Sequence, residues 1–417
     1  MILPRFSLGM GDRFGRQGRA QLAAVVAAKA RGVTVAPVWN KSHREHLITG
    51  THPDSVRAEA DEAVAALGWR GPYYVDADHV TLETVDAFIG ASDFFTLDVA
   101  DVIGSPAAVG DVAEFVDRHR RYVGRSVIPG MNRALSSDDI AAAARKFLAA
   151  AQAAAAIYRR VEAAKGRGQF VVEVSMDEAA EPQTPADLFC LLAALAGEGV
   201  PVATIAPKFP GRFNKGVDYA GSVEEFERYF SLCLEVLREA VGEFGLPSGL
   251  KLSIHSGSDK VSLYPAIARA LHRHHAGVHL KTAGTTWLEE VAGLAQAGGA
   301  SLRLVQEIYG RGYTRLDELC APYAAVIDID RARLPRPDEV EEWSGAEFVA
   351  ALQHDPASPS YNPHLRQLLH VSFKIAAEMG AEFLQAVETQ AAAIAARVTD
   401  NLLQRHILPV FVPRAAA

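Results

Sequence analysis

Cysteine is scarce: three residues, Cys190, Cys233 and Cys320, are spread over 417 positions with no CxxC pair, and the odd count argues against a secreted disulfide framework. A reducing cytoplasm is the expected setting. Long apolar runs are also missing. The opening MILPRFSLGMGDRFGR has no signal-like apolar core, and no stretch approaches the roughly 20 uninterrupted apolar residues that span a bilayer, so no membrane partner is expected. Positive charge is not in excess: 42 Lys and Arg against 50 Asp and Glu give a net charge of -8, and the basic residues are scattered, which argues against nucleic acid. A dinucleotide fingerprint is absent as well. GMGDRFG at 9–15 has the spacing GxGxxxG, and no acidic residue closes VTVAPVW as a nicotinamide site requires.

What is present is a chain 49% hydrophobic and 22% charged, ample for a large core. Short runs rich in Val, Ile, Phe and Thr alternate with helical periodicity. The strand candidates are RFSLGM (5–10), VTVAPVW (33–39), YYVDAD (73–78), FFTLDV (94–99), FVVEVS (170–175), PVATIA (201–206), LKLSIH (250–255) and GVHLKT (277–282). Eight βα units over about 300 residues predict an α/β fold, a (β/α)8 TIM-like barrel, whose usual size is ~250 residues before insertions. The expected layout is a catalytic barrel over 1–300 with a helical insertion around the Ala-rich stretch 138–166. A helical C-terminal extension, 301–417, would pack on the barrel.

In a barrel alternate strand residues face inward, and the active site lies at the carboxyl ends of the strands. With Leu252 and Ile254 turned to the helices, Ser253 and His255 point inward; likewise His279 and Lys281, Glu173 and Ser175, Asp76 and Asp78, and Thr96 and Asp98, with His79 just past its strand. Buried charges of this kind must pair, bind metal or meet a polar ligand. Imidazoles with carboxylates suit a divalent metal ion such as zinc, manganese, cobalt or iron. The preferred ligands are Glu173, His255 and His279, with His79 as a fourth candidate. Each one alone reads as well as a core group held by structural hydrogen bonds; their convergence favours the metal.

Cations follow several strands. NKSHREH (40–46) offers Lys41, Arg44 and His46, PKFPGRFNKG (207–216) offers Lys208, Arg212 and Lys215, and Asp12 and Arg13 should reach the mouth. Singly they read as solvated charge, together as a receptor for an anionic small molecule. HRHH (272–275) falls at the opposite rim and reads as structural.

The motifs VWNKSHREH, VDADHV, DFFTLDVAD, LSIHSGSDK and HLKTAGTTWLE resemble those of the tagaturonate epimerase family, over the barrel and into the helical tail. The resemblance implies an isomerase of hexuronate catabolism that interconverts D-tagaturonate and D-fructuronate, using a divalent metal and a ketouronate substrate. The two sugars differ at carbon 3, counting the carboxylate as carbon 1 and the ketone as carbon 5. That centre is β to both groups, so its C–H is not acidified. Retro-aldol cleavage between carbons 3 and 4, rotation of the aldehyde and closure on its other face is the favoured route, with the metal holding the enediolate. Asp78 and His79 are candidates for proton transfer on one face, and Lys281 or Asp259 with Lys260 on the other. Arg13, Lys41 and Lys260 are the expected carboxylate clamps, and Lys208, Ser258 and Thr282 complete the substrate-binding set. A Schiff base on Lys281 is the rival chemistry. A metal-dependent aldolase, a ketose isomerase acting on an acidic sugar and a non-catalytic sugar-acid binder are the alternative functions, and a homo-oligomer is left open.

Overall fold

The structure, a computed structural model, describes residues 1–126, 134–282 and 284–412. Eight parallel strands close in sequence order: β1 Phe6–Gly11, β2 Ala36–Ser42, β3 Tyr74–Val80, β4 Phe94–Asp98, β5 Val171–Ser175, β6 Thr204–Ala206, β7 Lys251–Ile254 and β8 Val278–Lys281, with β8 returning to β1. The (β/α)8 barrel is therefore present. β2 starts and ends three residues later than its apolar run suggests. Val33 and Val35 are buried against the helix layer before the strand begins, and Asn40 and Lys41 are drawn into it. β6 is short, since Pro201 and the turn it imposes delay pairing until Thr204.

Strand parity sorts the core into two layers. Val172, Val174, Leu252, Ile254, Val278 and Leu280 pack outward against the helices. Leu3, Ala36, Val38, Tyr74, Phe94 and Val171 form a separate apolar floor inside the barrel. Above that floor the interior turns polar: Ser7, Asp76, Thr96, Glu173, Thr204, Ser253, His279 and Lys281 are all buried. Gly9 makes this possible. A Cβ there would lie 2.9 Å from Lys281 Cγ and 3.4 Å from Asn40 Nδ2, so the missing side chain is the space through which Lys281 crosses the barrel.

The Ala-rich stretch is one 29-residue helix, Ser137–Lys165, started by a capping box between Ser136 and Asp139. Its alanines let it lie close against β4 and the helix Pro185–Gly197, which is where a barrel crossover helix sits. It is long and apolar enough to cross a membrane, yet its apolar face is the one buried against the barrel.

The C-terminal helices wrap the β8–β1 side, where Ala391–Asp400 packs against both Gly18–Ala30 and Thr285–Ala297. Between them the chain returns to the barrel mouth. Lys215 N–H donates to the Val326 carbonyl at 2.8 Å, Arg212 pairs with Asp328 at 3.0 Å, and Arg44 donates to the Pro322 carbonyl at 3.4 Å. Tyr323 is carried to the mouth by these contacts.

Candidate active site

Lys281 is the hub of the barrel interior. Its Nζ lies 2.8 Å from Asp76 Oδ2, 2.7 Å from Asp78 Oδ1 and 3.0 Å from Glu173 Oε1, and donates to Thr96 Oγ1 at 2.7 Å. Burial opposes a charge on Lys281, but the three carboxylates raise the ammonium well above its ordinary value. A lysine so held favours the ammonium form, which weighs against the Schiff-base expectation. The carboxylates divide according to their other partners. Asp78 also faces His79 and Glu173 also faces His255, and both stay well below the usual carboxylate range despite burial. Among the described residues Asp76 has no second cation, and burial pushes it up to about 6.

Above this hub, at the carboxyl ends of the strands, His79 Nε2, Asp177 Oδ1 and His255 Nδ1 converge. The separations are 3.3 Å from His79 and 3.1 Å from His255 to the same carboxylate oxygen, and the three side chains offer ligand atoms within 4.8 Å of one another. Each imidazole is fixed through its other nitrogen. His79 Nδ1 faces Asp78 Oδ1 at 3.1 Å, and His255 Nε2 faces Glu173 Oε1 at 2.6 Å. Carboxylates behind imidazoles set the tautomer and strengthen the donor, the arrangement usual around protein-bound transition metals. Burial works against charge on His79, yet Asp78 and Asp177 hold it well above its ordinary value; Asp177 offsets burial in the same way at His255. An environment that favours a proton on these rings favours a cation between them. Two imidazoles and a carboxylate are a donor set suited to a divalent transition metal.

Backbone geometry aims these rings. The β3–β4 register shifts between Ala77 and Val80, and His79 there has φ +54°; Ser256, next to His255, has φ +50°. Left-handed non-glycine residues store strain that the surrounding packing must hold; one of these is itself a converging donor and the other adjoins one.

The converging donors differ from the expected set Glu173, His255 and His279. His255 is in the cluster and His79, the fourth candidate, joins it. His279 lies one layer lower, paired in register with Ser253, with Nδ1 on Ser7 Oγ at 2.9 Å and its ring against Phe94. Burial lowers it to about 3, a neutral imidazole of the barrel interior. Glu173 has its carboxylate oxygens engaged by His255, Lys281, Thr96 and Thr204 and lies outside the converging group. Asp177 is the third member of the converging group. It lies two residues beyond β5, where strand parity no longer assigns a direction; an acidic residue just past an inward strand end was the available signal.

A cleft of about 270 Å³ opens above the cluster, with Arg13, Arg44, Asp78, His79, Asp98, Asp177, Glu178, Lys215, His255, Lys281 and Tyr323 on its walls. A larger hollow of about 760 Å³, between helices Val109–Arg118 and Ser137–Lys165, is walled mostly by Ala, Val and Pro and lacks such a constellation. Of the expected substrate contacts, Arg13 is in the cleft, ion-paired with Glu45 and 4.2 Å from the Phe373 ring. Asp12 turns away and accepts four backbone N–H groups, from Phe14 to Gln17, at the start of helix Gly18–Ala30.

Several others meet the protein's own backbone. Lys41 donates to the Arg13 carbonyl at 2.7 Å, Lys208 to the Ala179 and Ala180 carbonyls, and Lys260 to those of Asn214, Val217 and Ser258. Thr282 donates to the Gly9 carbonyl at 2.8 Å, and Ser258 is buried beneath the loop. These side chains build the mouth without lining the cleft. Asp259 is likewise buried under the tail, 2.7 Å from Arg366, and does not line the cleft.

The Asp259 environment carries its own pH dependence. His354, 3.7 Å away and buried, is lowered by desolvation to about 4. Since unfolded histidine has a pKa near ~6.5, the unfolded chain binds more protons below that value and stability falls as pH drops from there toward about 4. Urea unfolding from pH 7 to pH 5 should show this loss. His354→Gln should flatten the slope, and an unchanged slope would assign the loss elsewhere.

A closed parallel barrel with a polar cleft at the strand carboxyl ends defines a (β/α)8 enzyme. Residues 3–382 match the tagaturonate epimerase family. The chain belongs to that family, and it is an isomerase of the epimerase type. It is 28% identical over 383 residues to the tagaturonate/fructuronate epimerase of Thermotoga maritima, across 88% of this chain and 73% of that protein. Among solved structures it resembles fructuronate-tagaturonate epimerase from Cohnella laeviribosi. The form complexed with two glycerols gives a TM-score of 0.81 at 22% identity, covering 99% of this chain and 83% of that one. The native form gives 0.78 at 22% identity over 99% and 82%. At that identity the likeness is one of fold.

Proposed function

We propose that this protein interconverts D-tagaturonate and D-fructuronate at the barrel mouth, with a divalent metal held by His79, Asp177 and His255, through retro-aldol cleavage and re-closure. The observation that carries the metal assignment is the convergence of those three donors on one point, each imidazole backed by its own carboxylate. A divalent cation there would act as a Lewis acid toward the ketone and its neighbouring hydroxyl.

The chain supplies proton transfer and containment. Cleavage takes a proton from the carbon 3 hydroxyl while the carbon 3–carbon 4 electron pair moves to carbon 4. The products held in the cleft are a three-carbon aldehyde acid and a three-carbon enediolate. Rotation of the aldehyde followed by bond formation, with a proton returned to its oxygen, inverts carbon 3. Asp98 and Glu178 suit the proton transfers because both line the cleft and neither has an ion-pair partner among the described residues. Burial raises the Asp98 carboxyl, which brings it toward the range of a usable acid and base. Asp78, by contrast, is committed to Lys281 and His79.

Proton NMR of D-tagaturonate with the purified protein, after chelation and again with metal restored, tests this reading. Fructuronate should appear with the metal and fade without it. No conversion in the fully metallated protein would refute the epimerase, and conversion indifferent to chelator would refute the metal.

A further inference from the structure

The cleft has two chemically different walls. One carries the histidines and carboxylates. On the other, Lys215 and Arg44 stand around Tyr323, with Nζ 5.7 Å and Cζ 4.7 Å from the ring centroid. Neither cation has a carboxylate partner among the described residues, although Arg13 beside them is paired with Glu45. Lys41, Lys208 and Lys260, the other lysines of these loops, are used up on backbone carbonyls. Lys215 is half-buried. A half-buried ammonium that stands on an aromatic face, near Glu178 and Asp177 but in ion-pair contact with neither, keeps its hydrogen-bonding capacity for an anion that arrives from outside.

We propose that Lys215, supported on Tyr323 and assisted by Arg44 at the rim, grips the carboxylate of the substrate and sets the preference for a sugar acid over a neutral ketose. The proposal rests on the epimerase reading for the identity of the acid. The cations are locked to the tail: the Lys215 N–H donates to Val326 and Arg44 donates to Pro322, so the segment that brings in Tyr323 also fixes both cations. Burial lowers the Lys215 ammonium; Glu178 and Asp177 oppose that while Arg13 and Arg44 add to it, so the group sits among charges of both signs with no carboxylate in contact. With the carboxylate at this wall, the ketone end of a six-carbon chain is directed to the histidine wall.

The test uses metal-loaded full-length enzyme, with wild type, Lys215→Gln, Lys215→Arg and Arg44→Gln compared in two assays. One measures KM and kcat for D-tagaturonate. The other measures calorimetric affinity for D-galactonate, a six-carbon acid without a ketone, against the neutral galactitol. Losing a charge-assisted contact should weaken galactonate roughly 10- to 100-fold in Lys215→Gln, with most of the kinetic effect in KM. Lys215→Arg should restore most of it, and Arg44→Gln should lose less because that side chain is exposed. Galactonate binding to Lys215→Gln within twofold of wild type, or no preference for galactonate over galactitol in the wild type, overturns the grip. If Lys215→Gln fails to fold, Lys215→Arg with Arg44→Gln decides by the same two readouts. If the wild type leaves tagaturonate untouched, the epimerase reading fails while the galactonate affinities still judge the grip.

Discussion

Asp177→Ala should strip the protein of its divalent ion and lower kcat/KM for D-tagaturonate by about 10³-fold or more, the scale of several kcal/mol of Lewis-acid assistance. Asp177 Oδ1 is the one atom that both imidazoles approach, at 3.3 and 3.1 Å, so without it His79 and His255 no longer enclose a common point. His79→Ala and His255→Ala should behave alike. Glu173→Gln, which leaves the three donors in place but weakens the support of His255, should cost metal affinity about 10- to 100-fold. His279→Gln should keep the ion, because its ring lies in the layer below and bonds Ser7. Elemental analysis of each desalted variant, alongside NMR rates, separates these outcomes. A full complement of metal in Asp177→Ala together with its loss in His279→Gln would move the ion deeper, onto Glu173 and His279.

That contrast shows where strand parity could and could not read the site. The period of two in a parallel strand fixes sidedness, so inward Asp76, Glu173, His279 and Lys281 were legible from the alternation of Val and Leu around them. Depth along the barrel is not encoded in that alternation. His279 and Lys281 have the same parity, yet one sits below the carboxylate hub and the other forms it. Beyond the strand ends parity gives no direction at all. Asp177 lies there, as do Lys208, Asp259 and Lys260, whose charges looked available and proved to be satisfied by backbone carbonyls or by Arg366. Tyr323 was out of reach for another reason. It is more than 300 residues along the chain in a helical tail without barrel periodicity, and only the tertiary contacts through Pro322 and Val326 bring it to the cleft.

Lys281→Met should lose activity and destabilise the fold by about 3–5 kcal/mol, the penalty expected when one member of a buried ionic cluster is removed and its partners stay charged. Three carboxylates lie within 3.0 Å of the lysine nitrogen, and two of them, Asp76 and Glu173, are fully enclosed in the barrel, while Asp78 borders the cleft. Arginine is a poor replacement, because the stem of residue 281 already fills the space left by Gly9, with no room for a planar guanidinium among the same partners. The diagnostic measurement is a double-mutant cycle by urea unfolding. Asp76 is the carboxylate with no cation other than Lys281, so Asp76→Asn should recover part of the stability that Lys281→Met loses, and the two changes should be strongly non-additive. Borohydride with substrate should leave the wild type active, since a lysine clamped as a cation does not attack a ketone. A Lys281→Met protein as stable as wild type but inactive, or borohydride inactivation of the wild type, would return Lys281 to a direct chemical role. The expected pattern instead makes it the fixed charge that keeps Asp78 and Glu173 ionised behind the two histidines.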